Sequence, residues 1–241
     1  MKIELNKKAK YIKAIIFDLD GVLIDSLDIH DRALHKAFSV VTKIKLHEKH
    51  LLIYRNYPTS YKLKRLQKSF NISNENIELI KSLKQKYTLE AFRNEIKPVN
   101  EINEIMDWLR SLNDDYLFAP LIFISSNAKL ETINLALENI LSEQNFLYFT
   151  FDDQHEADYH ISSNEMCLPK PSSEGWINLI TKYSLEPKEI LIIEDSEVNF
   201  ESAVNMGANA LLLDNPKDLT LDLIKKFIDA THENYVFRGV K

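Results

Sequence analysis

The chain has 241 residues, 45% hydrophobic and 27% charged, which is ordinary for a globular protein with one large domain or one domain with an insert. Asp18 and Asp20 interrupt the apolar stretch near the amino terminus, and no apolar run approaches the roughly 18 residues of a membrane span. We therefore expect neither a membrane span nor a secretory signal. A single cysteine, Cys167, excludes an internal disulfide and a cysteine-based zinc site, and a cytoplasmic location is the default expectation. The sequence does not reveal the oligomeric state, for which a monomer is the default.

The charge is unevenly distributed along the chain. Residues 28–97 contain 15 basic and 7 acidic residues, or +8, so the net charge of −6 leaves −14 for the remainder. A basic segment beside an acidic body can concentrate an anionic substrate, although solvated helix faces would give the same counts. The acidic pI of 5.7 and the lack of an aromatic-basic motif count against nucleic-acid binding.

The first predicted strand carries the most informative motif. Residues 14–17 are apolar and typical of a buried strand, and Gly21 supplies a turn signal shortly after them. Asp18 and Asp20 are two residues apart, so both carboxylates can point the same way at the end of this strand. Such a pair can bind a hard cation and provide a nucleophile beside an acid/base group, although an Asp-rich turn has the same sequence.

The pattern becomes helical after Ser26. Apolar residues recur at three- and four-residue spacing in three segments, 28–40, 59–70 and 75–93. Pro98 then marks a break, and Asn100 is a candidate cap for a helix that runs to Leu112.

Strands and helices alternate in the second half of the chain. The strand-like segments are 121–124, 146–149, 190–193 and 210–213. The helical segments are 129–141, 172–184, 197–206 and 217–230. This alternation predicts an α/β fold with a parallel sheet covered by helices on both faces. We therefore predict an α/β core domain over 1–27 and 98–241, with an inserted all-helical cap domain over 28–97.

Open parallel sheets bind ligands at the carboxyl ends of their strands, and polar clusters follow three of the predicted strands. Besides the two aspartates, Ser125-Ser126-Asn127 follows 121–124 and Glu194-Asp195 follows 190–193. Their shared location predicts one site.

The serine cluster precedes a predicted helix. A hydroxyl and backbone N–H groups at the start of a helix can hold a phosphate oxygen, although simple helix capping would use the same residues. We expect Ser125 to contact the phosphate, with Ser126 and Asn127 beside it.

Two further segments supply charge. Lys170 precedes Pro171, which suits the first position of a helix, and its ammonium group could neutralise a carboxylate nucleophile and a phosphate. Glu194 and Asp195 could complete a Mg²⁺ site, since Mg²⁺ keeps several waters and needs only one or two protein carboxylates.

In chain order these segments resemble the haloacid dehalogenase superfamily, in its phosphatase and phosphomutase branch. The resemblance rests on DxDGVLxDS at 18–26, a hydrophobic run ending at Ser125, Lys170-Pro171, and Ile-Glu-Asp-Ser at 193–196 followed by Ala203 and Gly207.

The resemblance implies a Rossmann-like three-layer core and Mg²⁺-dependent phosphoryl transfer through an aspartyl-phosphate. Asp18 would then be the nucleophile and Asp20 the acid/base, while Ser125 and Lys170 would hold the phosphoryl group. The implied metal ligands are Asp18, the backbone carbonyl of Asp20, and Asp195, with Glu194 as a further candidate. An acid at position 20 favours phosphate esters, because relatives that cleave carbon–halogen or carbon–phosphorus bonds lack one there.

The predicted cap resembles the family less closely. His30 falls where β-phosphoglucomutase-like members have a histidine, but a surface helix residue would fit as well. Around Arg55 the sequence departs from the glycine-plus-arginine pattern of the mutases, with Thr59 where their arginine would be. Arg55, Lys62 or Arg65 remain candidates for a second phosphate clamp.

The leading expectation is a Mg²⁺-dependent phosphatase for a small phosphorylated metabolite, such as a sugar phosphate. A β-phosphoglucomutase-like sugar-phosphate mutase is the alternative within the enzymes. A catalytically silent binding or regulatory protein is the third interpretation.

Overall fold

The computed structural model describes residues 1–6, 12–47, 49–50, 57, 59–99, 101–112, 119–140, 147–150 and 168–236. The strands in this part of the chain are β1 Lys2–Glu4, β2 Ala14–Phe17, β3 Leu121–Ser126, β4 Leu147–Thr150, β5 Ile190–Glu194 and β6 Asn209–Leu212. They form one sheet in the order β1-β6-β5-β2-β3-β4. All neighbouring pairs are parallel except β1 and β6, which pair antiparallel at one edge.

The helices of the same residues are α1 Leu27–Thr42, α2 Thr59–Phe70, α3 Asn74–Glu95, α4 Ile102–Ser111, α5 Leu130–Ile140, α6 Glu174–Lys182, α7 Glu197–Asn205 and α8 Leu221–Val236. Short 3₁₀ turns cover Pro187–Glu189 and Pro216–Asp218. Within the described ranges, no helix combines the length and the apolar character that crossing a membrane requires.

The sheet is the middle of three layers, because its strands alternate buried side chains toward two separate apolar clusters. One face, which includes Ile15 and Phe17, packs on α4, α5 and α8. The opposite face, which includes Ile16 and Phe123, packs on α6 and α7. The predicted α/β class and the Rossmann-like core are confirmed.

The helices α1 to α3 form a third apolar cluster away from the sheet. Leu34 and Phe38 of α1 pack there with Leu63 of α2 and Ile80 of α3. Ser73 caps α3, since its side chain accepts a hydrogen bond from the N–H of Asn76. The exact boundaries of a cap domain over 28–97 stay a prediction.

Several sequence predictions need correction. The expected parallel sheet is mixed, because the unpredicted short strand β1 joins its edge antiparallel. Pro171 is not the first residue of a helix: residues 169–172 form a turn, with the N–H of Ser172 donating to Pro169 O at 3.0 Å, and α6 begins at Glu174. The segment 217–230 is divided between a 3₁₀ turn and α8. The expected cap Asn100 lies outside the described residues.

Candidate active site

The register of the sheet brings three polar strand ends together. Phe17 is aligned with Ile124 on one side and with Ile193 on the other. The residues that follow, Asp18, Ser125 and Glu194, are therefore side by side. The N–H of Asp18 donates to Ile193 O at 2.9 Å, which extends the pairing with β5 by one residue.

Lys170 joins these strand ends. Its side chain is 1% exposed, and its ammonium nitrogen lies 2.9 Å from Asp18 Oδ1, 2.7 Å from Glu194 Oε1 and 2.8 Å from the backbone oxygen of Ser125. These three acceptors match the three N–H donors of a lysine. Burial alone would lower the pKa of Lys170, but Asp18 and Glu194 outweigh it and raise the pKa, so the group is charged.

Three carboxylates form the candidate metal site. Asp18, Glu194 and Asp195 each offer an oxygen, and these oxygens lie within 4.8 Å of one another. Burial and then the charge of Asp18 raise the pKa of Asp195 to about 7, because like charges are held together. A set of hard oxygen donors whose charges repel fits Mg²⁺, which would offset the repulsion.

The two acids after β5 differ in their surroundings. Glu194 is 1% exposed, and its oxygens accept from Lys170 and from Asn199 Nδ2 at 3.0 Å. Asp195 lines the cleft beside Asp18. Asp195 therefore faces the site, whereas Glu194 lies behind it and holds Lys170.

The turn after Asp20 allows Asp195 to approach the backbone. Gly21 has φ +80°, a left-handed conformation that L-residues with side chains rarely adopt. A β-carbon at this position would lie 2.4 Å from Asp195 Oδ2. Glycine is therefore needed here both for the turn and for the space that Asp195 occupies.

Asp20 belongs to a separate chain of contacts that reaches the helices above the sheet. Ser26 Oγ donates to Asp20 Oδ1, and His30 Nε2 lies 2.9 Å from the same oxygen. Lys84 Nζ of α3 lies 3.0 Å from His30 Nδ1. Burial would raise the pKa of Asp20, but His30, Ser26 and Lys84 together lower it to about 2.

The protonation of His30 follows from these contacts. Burial and the nearby charge of Lys84 lower the pKa of His30, so the ring is neutral at neutral pH. A neutral ring with its proton on Nε2 donates to Asp20 and accepts at Nδ1 from Lys84, which satisfies both contacts.

The two serines at the end of β3 point in different directions, as alternation along a strand requires. Ser125 Oγ accepts a hydrogen bond from Trp176 Nε1 at 3.1 Å, and Ser125 does not line the cleft. Ser126 does line the cleft, and its hydroxyl accepts from the N–H of Ala128 at 3.0 Å. Ser126 therefore lies in the lining of the cleft, while the hydroxyl of Ser125 contacts Trp176; the phosphate contact of Ser125 stays a prediction.

Asn127 contacts the backbone of Lys170. Its Nδ2 donates to Lys170 O at 3.0 Å and its Oδ1 accepts from Lys170 N at 2.9 Å. This reciprocal pair joins the end of β3 to the segment before α6, so the side chain of Asn127 positions Lys170.

The cleft above these groups has a volume of 140 Å³. Its lining combines the acids Asp18, Asp20 and Asp195 with side chains from α1 to α3. Pockets for drug-sized ligands are typically about 300–1,000 Å³, so this one suits a small substrate.

Sequence reasoning missed some of the residues of the cleft. Lys84 and Tyr57 line it but have no signal of their own in the sequence. Lys62, also in the lining, was predicted only as a candidate phosphate clamp, and Thr59 only as the residue in place of the mutases' arginine. The expected ligand Arg55 lies outside the described residues. The net positive charge of residues 28–97 indicated that lysines reach the site, but it did not indicate which ones.

A sequence model of the family of haloacid dehalogenase-like hydrolases matches residues 15–213, which is most of the chain. The chain belongs to that family. The family match confirms the resemblance inferred from the four motifs and makes this protein a haloacid dehalogenase-like hydrolase. No curated protein sequence shows significant similarity to it.

Solved structures of related fold include a predicted phosphoglycolate phosphatase from Haemophilus somnus 129pt, with 19% identity, a TM-score of 0.65, and coverage of 89% of this chain and 91% of that one. A β-phosphoglucomutase from Clostridium difficile has 18% identity, a TM-score of 0.65, and coverage of 94% and 99%. CbbY from Rhodobacter sphaeroides, crystallised with phosphate, has 15% identity, a TM-score of 0.64, and coverage of 86% and 96%. These similarities show a shared fold.

Proposed function

We propose that this haloacid dehalogenase-like hydrolase is a Mg²⁺-dependent phosphatase, which hydrolyses a small phosphoric monoester through an aspartyl-phosphate on Asp18. The observation that carries the proposal is that Asp18 contacts Lys170, belongs to the carboxylate cluster with Asp195, and shares a cleft with a second aspartate, Asp20. Nucleophile, cation site and acid/base group thus meet in one place.

In the first step Asp18 attacks phosphorus. Its contacts with Lys170 and with the N–H of Leu19 are made by Oδ1, so we assign the attack to Oδ2. A bond forms between this oxygen and phosphorus as the ester P–O bond breaks, and Asp20 gives a proton to the departing alcohol oxygen.

In the second step water attacks the aspartyl-phosphate. Asp20, now ionised, takes a proton from the water, the bond between phosphorus and Asp18 breaks, and inorganic phosphate leaves. The low pKa of Asp20, about 2, keeps the group ionised before substrate binds. We propose that Asp20 takes up its proton when the phosphoryl group arrives, because added negative charge raises the pKa of a carboxyl group.

Asp18 and Asp195 would hold Mg²⁺, together with the backbone carbonyl that the family resemblance assigns to Asp20. The cation would offset the repulsion between a carboxylate and a phosphate and would stabilise charge in the transition state. Glu194 acts through Lys170, which it holds against Asp18.

The phosphoryl oxygens would be bound by Ser126, which lines the cleft, and by N–H groups at the end of β3. Lys170 contributes its positive charge rather than a direct hydrogen bond to the phosphoryl group, since its three N–H donors already contact protein oxygens. His30 positions Asp20 and closes the cleft on the side of α1.

The proposed substrate class is a small phosphorylated metabolite. The cleft volume of 140 Å³ favours a small molecule, and the lysines of α2 and α3 favour an anion. A mutant of the Rhodobacter sphaeroides protein was crystallised with xylulose-(1,5)bisphosphate, a molecule of this class.

Release of phosphate from an aryl phosphate, with and without Mg²⁺, tests the proposal. Asp18→Asn should lose at least about a thousandfold in kcat, because the nucleophile is removed. Asp222→Asn, an exposed carboxylate paired with Lys226 on α8, is the matched control and should keep full activity. Equal rates for Asp18→Asn and the unaltered protein would refute the mechanism.

A sugar-phosphate mutase is the second candidate, favoured by Lys62, a candidate for the second phosphate clamp, which lines the cleft. β-Glucose 1-phosphate with a trace of bisphosphate separates the two functions. A phosphatase releases inorganic phosphate, whereas a mutase forms the 6-phosphate without net release.

A further inference from the structure

A second cavity adjoins the active-site cleft. It has a volume of 280 Å³ and shares five residues with the cleft, namely His30, Thr59, Lys84, Asn127 and Ala128. A substrate whose phosphoryl group lies at Asp18 can therefore extend into this second cavity without leaving the protein.

The lining of the second cavity is basic. Lys81 and Lys84 enter it from α3, and Lys129 enters it from the start of α5. Among the described residues that line it, no aspartate or glutamate occurs. Lys81 pairs with exposed Glu78 at a long distance of 3.8 Å, a contact that holds it weakly.

Neutral hydrogen-bonding side chains complete the lining of the second cavity. Gln85 Nε2 of α3 donates to Thr132 Oγ1 of α5 at 3.0 Å, which links the helices above the sheet to the core. Lysine, amide and hydroxyl groups together form a donor-rich surface of the kind that carboxylates and phosphates require.

No step of the reaction proposed at Asp18 uses Lys81 or Lys129. Lys170 already pairs with Asp18 and Glu194, while Lys84 contacts the neutral ring of His30 and helps to lower the pKa of Asp20. Burial lowers the pKa of Lys84 to about 8; Lys62 and Lys129 also lower it, while Asp20 and Asp31 raise it. An anion in the second cavity would meet the three lysines of its lining, Lys81, Lys84 and Lys129.

We propose that the second cavity binds a second anionic group, a carboxylate or a phosphate, carried by the alcohol part of the substrate. Lys81 and Lys129 hold this group, and Lys84 lies between it and the reaction centre. The inference rests on the proposed function only for the position of the first phosphoryl group.

Three phosphate esters of equal chain length test the proposal: propyl phosphate, 3-phosphonooxypropanoate and 1,3-propanediol bisphosphate. They end in a methyl group, a carboxylate and a phosphate. With Mg²⁺ present, we expect kcat/KM to be at least about tenfold higher for one or both esters with a second anionic group than for propyl phosphate, since a hydrogen bond to a charged group is worth about that factor. The better of the two identifies the anion.

The double variant Lys81→Gln/Lys129→Gln should reduce that preference to within about threefold. Lys86→Gln is the matched control, because Lys86 also lies on α3 but is exposed and outside the cavity lining, 3.9 Å from Glu90. A preference that persists in the double variant overturns the proposal, and so does a kcat/KM for propyl phosphate equal to that of both esters with a second anionic group.

Binding of the same esters to Asp18→Asn, measured by calorimetry, separates the two proposals. If an ester with a second anionic group binds Asp18→Asn more tightly than propyl phosphate, and this difference is lost in the triple variant with both lysine changes, the subsite is supported even if the unaltered protein releases no phosphate. Equal binding of all three esters overturns the subsite and leaves the proposed function standing.

Discussion

The positive charge of Lys84 destabilises the folded protein, because burial disfavours a charged group. Its pKa is about 8 in the folded protein and 10.5 in the unfolded chain, so the folded state binds fewer protons between these values. Protonation of Lys84 therefore lowers the free energy of unfolding: the loss is absent above pH 10.5 and develops as the pH falls from 10.5 through 8. At neutral pH it amounts to about 3 kcal/mol.

Replacing this lysine by an uncharged side chain of similar length should remove that cost. We expect Lys84→Met to raise the free energy of unfolding at pH 7 by up to about 3 kcal/mol, with the gain shrinking above pH 8 and vanishing near 10.5. The charged groups that set the shift, and must stay unchanged, are Asp20, Asp31, Lys62 and Lys129.

Urea unfolding across this pH range, with a chelator present to remove metal, measures the effect. Lys86→Met provides the flat reference, since Lys86 is exposed on the same helix. A difference between Lys84→Met and the unaltered protein that does not change with pH would contradict the explanation.

Substitution of the two serines at the end of β3 should affect different properties, the free energy of unfolding in one case and kcat/KM in the other. Ser125→Ala leaves the buried Trp176 N–H without its acceptor, which should lower the free energy of unfolding by about 1–3 kcal/mol and change kcat/KM by less than about threefold. Ser126→Ala removes a hydroxyl from the cleft and should lower kcat/KM by about 10- to 100-fold.

A double-mutant cycle tests the assignment of Ser125. Trp176→Phe removes the other partner of the hydrogen bond, so the double variant should lose less stability than the two single variants added together. Additive losses, or a kcat/KM that falls as far in Ser125→Ala as in Ser126→Ala, would return the phosphate contact to Ser125.

At the scale of the elements, the turn after β2 combines two constraints at Gly21. Gly21→Ala should cost about 1–2 kcal/mol for the left-handed backbone and, in addition, displace Asp195 from its position 2.4 Å from the new β-carbon. We expect the Mg²⁺ concentration for half-maximal activity to rise at least tenfold.

Gly207 provides the control for backbone strain. Its φ is +88°, but an added β-carbon would meet its nearest neighbours only at 3.8 Å. Gly207→Ala should therefore lose stability with no change in the Mg²⁺ requirement. If both variants require the same Mg²⁺ as the unaltered protein, Asp195 is not a metal ligand.

The elements that position the site were predictable because their signals are local. Continuous apolar runs such as 14–17 and 190–193 indicate buried parallel strands, and each is followed directly by acids. Since parallel strands end at one edge, the meeting of Asp18 with Glu194 followed from topology alone. The short strand β1 has three exposed residues and no such signal.

Other features depend on geometry that spacing does not reveal. Ser125 and Ser126 are adjacent, and which one faces the cleft is decided by the register of β3 against β2. The contact between His30 and Lys84 joins two helices across 54 positions of sequence. The resemblance made His30 a candidate for the site, but only the packing of α1 against α3 brings Lys84 to it.

Across the whole molecule, the acidic body and the basic segment 28–97 meet at the cleft. Three acids contribute to the lining from the core, while Lys62 and Lys84 contribute from the opposite helices. Anionic substrates are attracted to such a boundary only if the carboxylates are neutralised. Metal binding and substrate binding should therefore depend on each other.

Thermal unfolding can measure this dependence for the whole chain. A ligand at 100 times its Kd stabilises the folded state by about 2.7 kcal/mol, which for a protein of this size raises Tm by about 5–10 °C. We expect Mg²⁺ to raise Tm, and beryllofluoride, which mimics a phosphoryl group on an aspartate, to raise it further only when Mg²⁺ is present. Asp195→Asn should lose both increments, because it removes a carboxylate that would hold the metal. Asp18→Asn should lose the beryllofluoride increment, because it removes the carboxylate to which beryllofluoride attaches. Asp222→Asn on the exposed face of α8 should keep both increments in Tm.

A beryllofluoride increment in Asp18→Asn would place the phosphoryl acceptor elsewhere. Absence of a beryllofluoride increment from the unaltered protein would favour a silent binding protein over an enzyme.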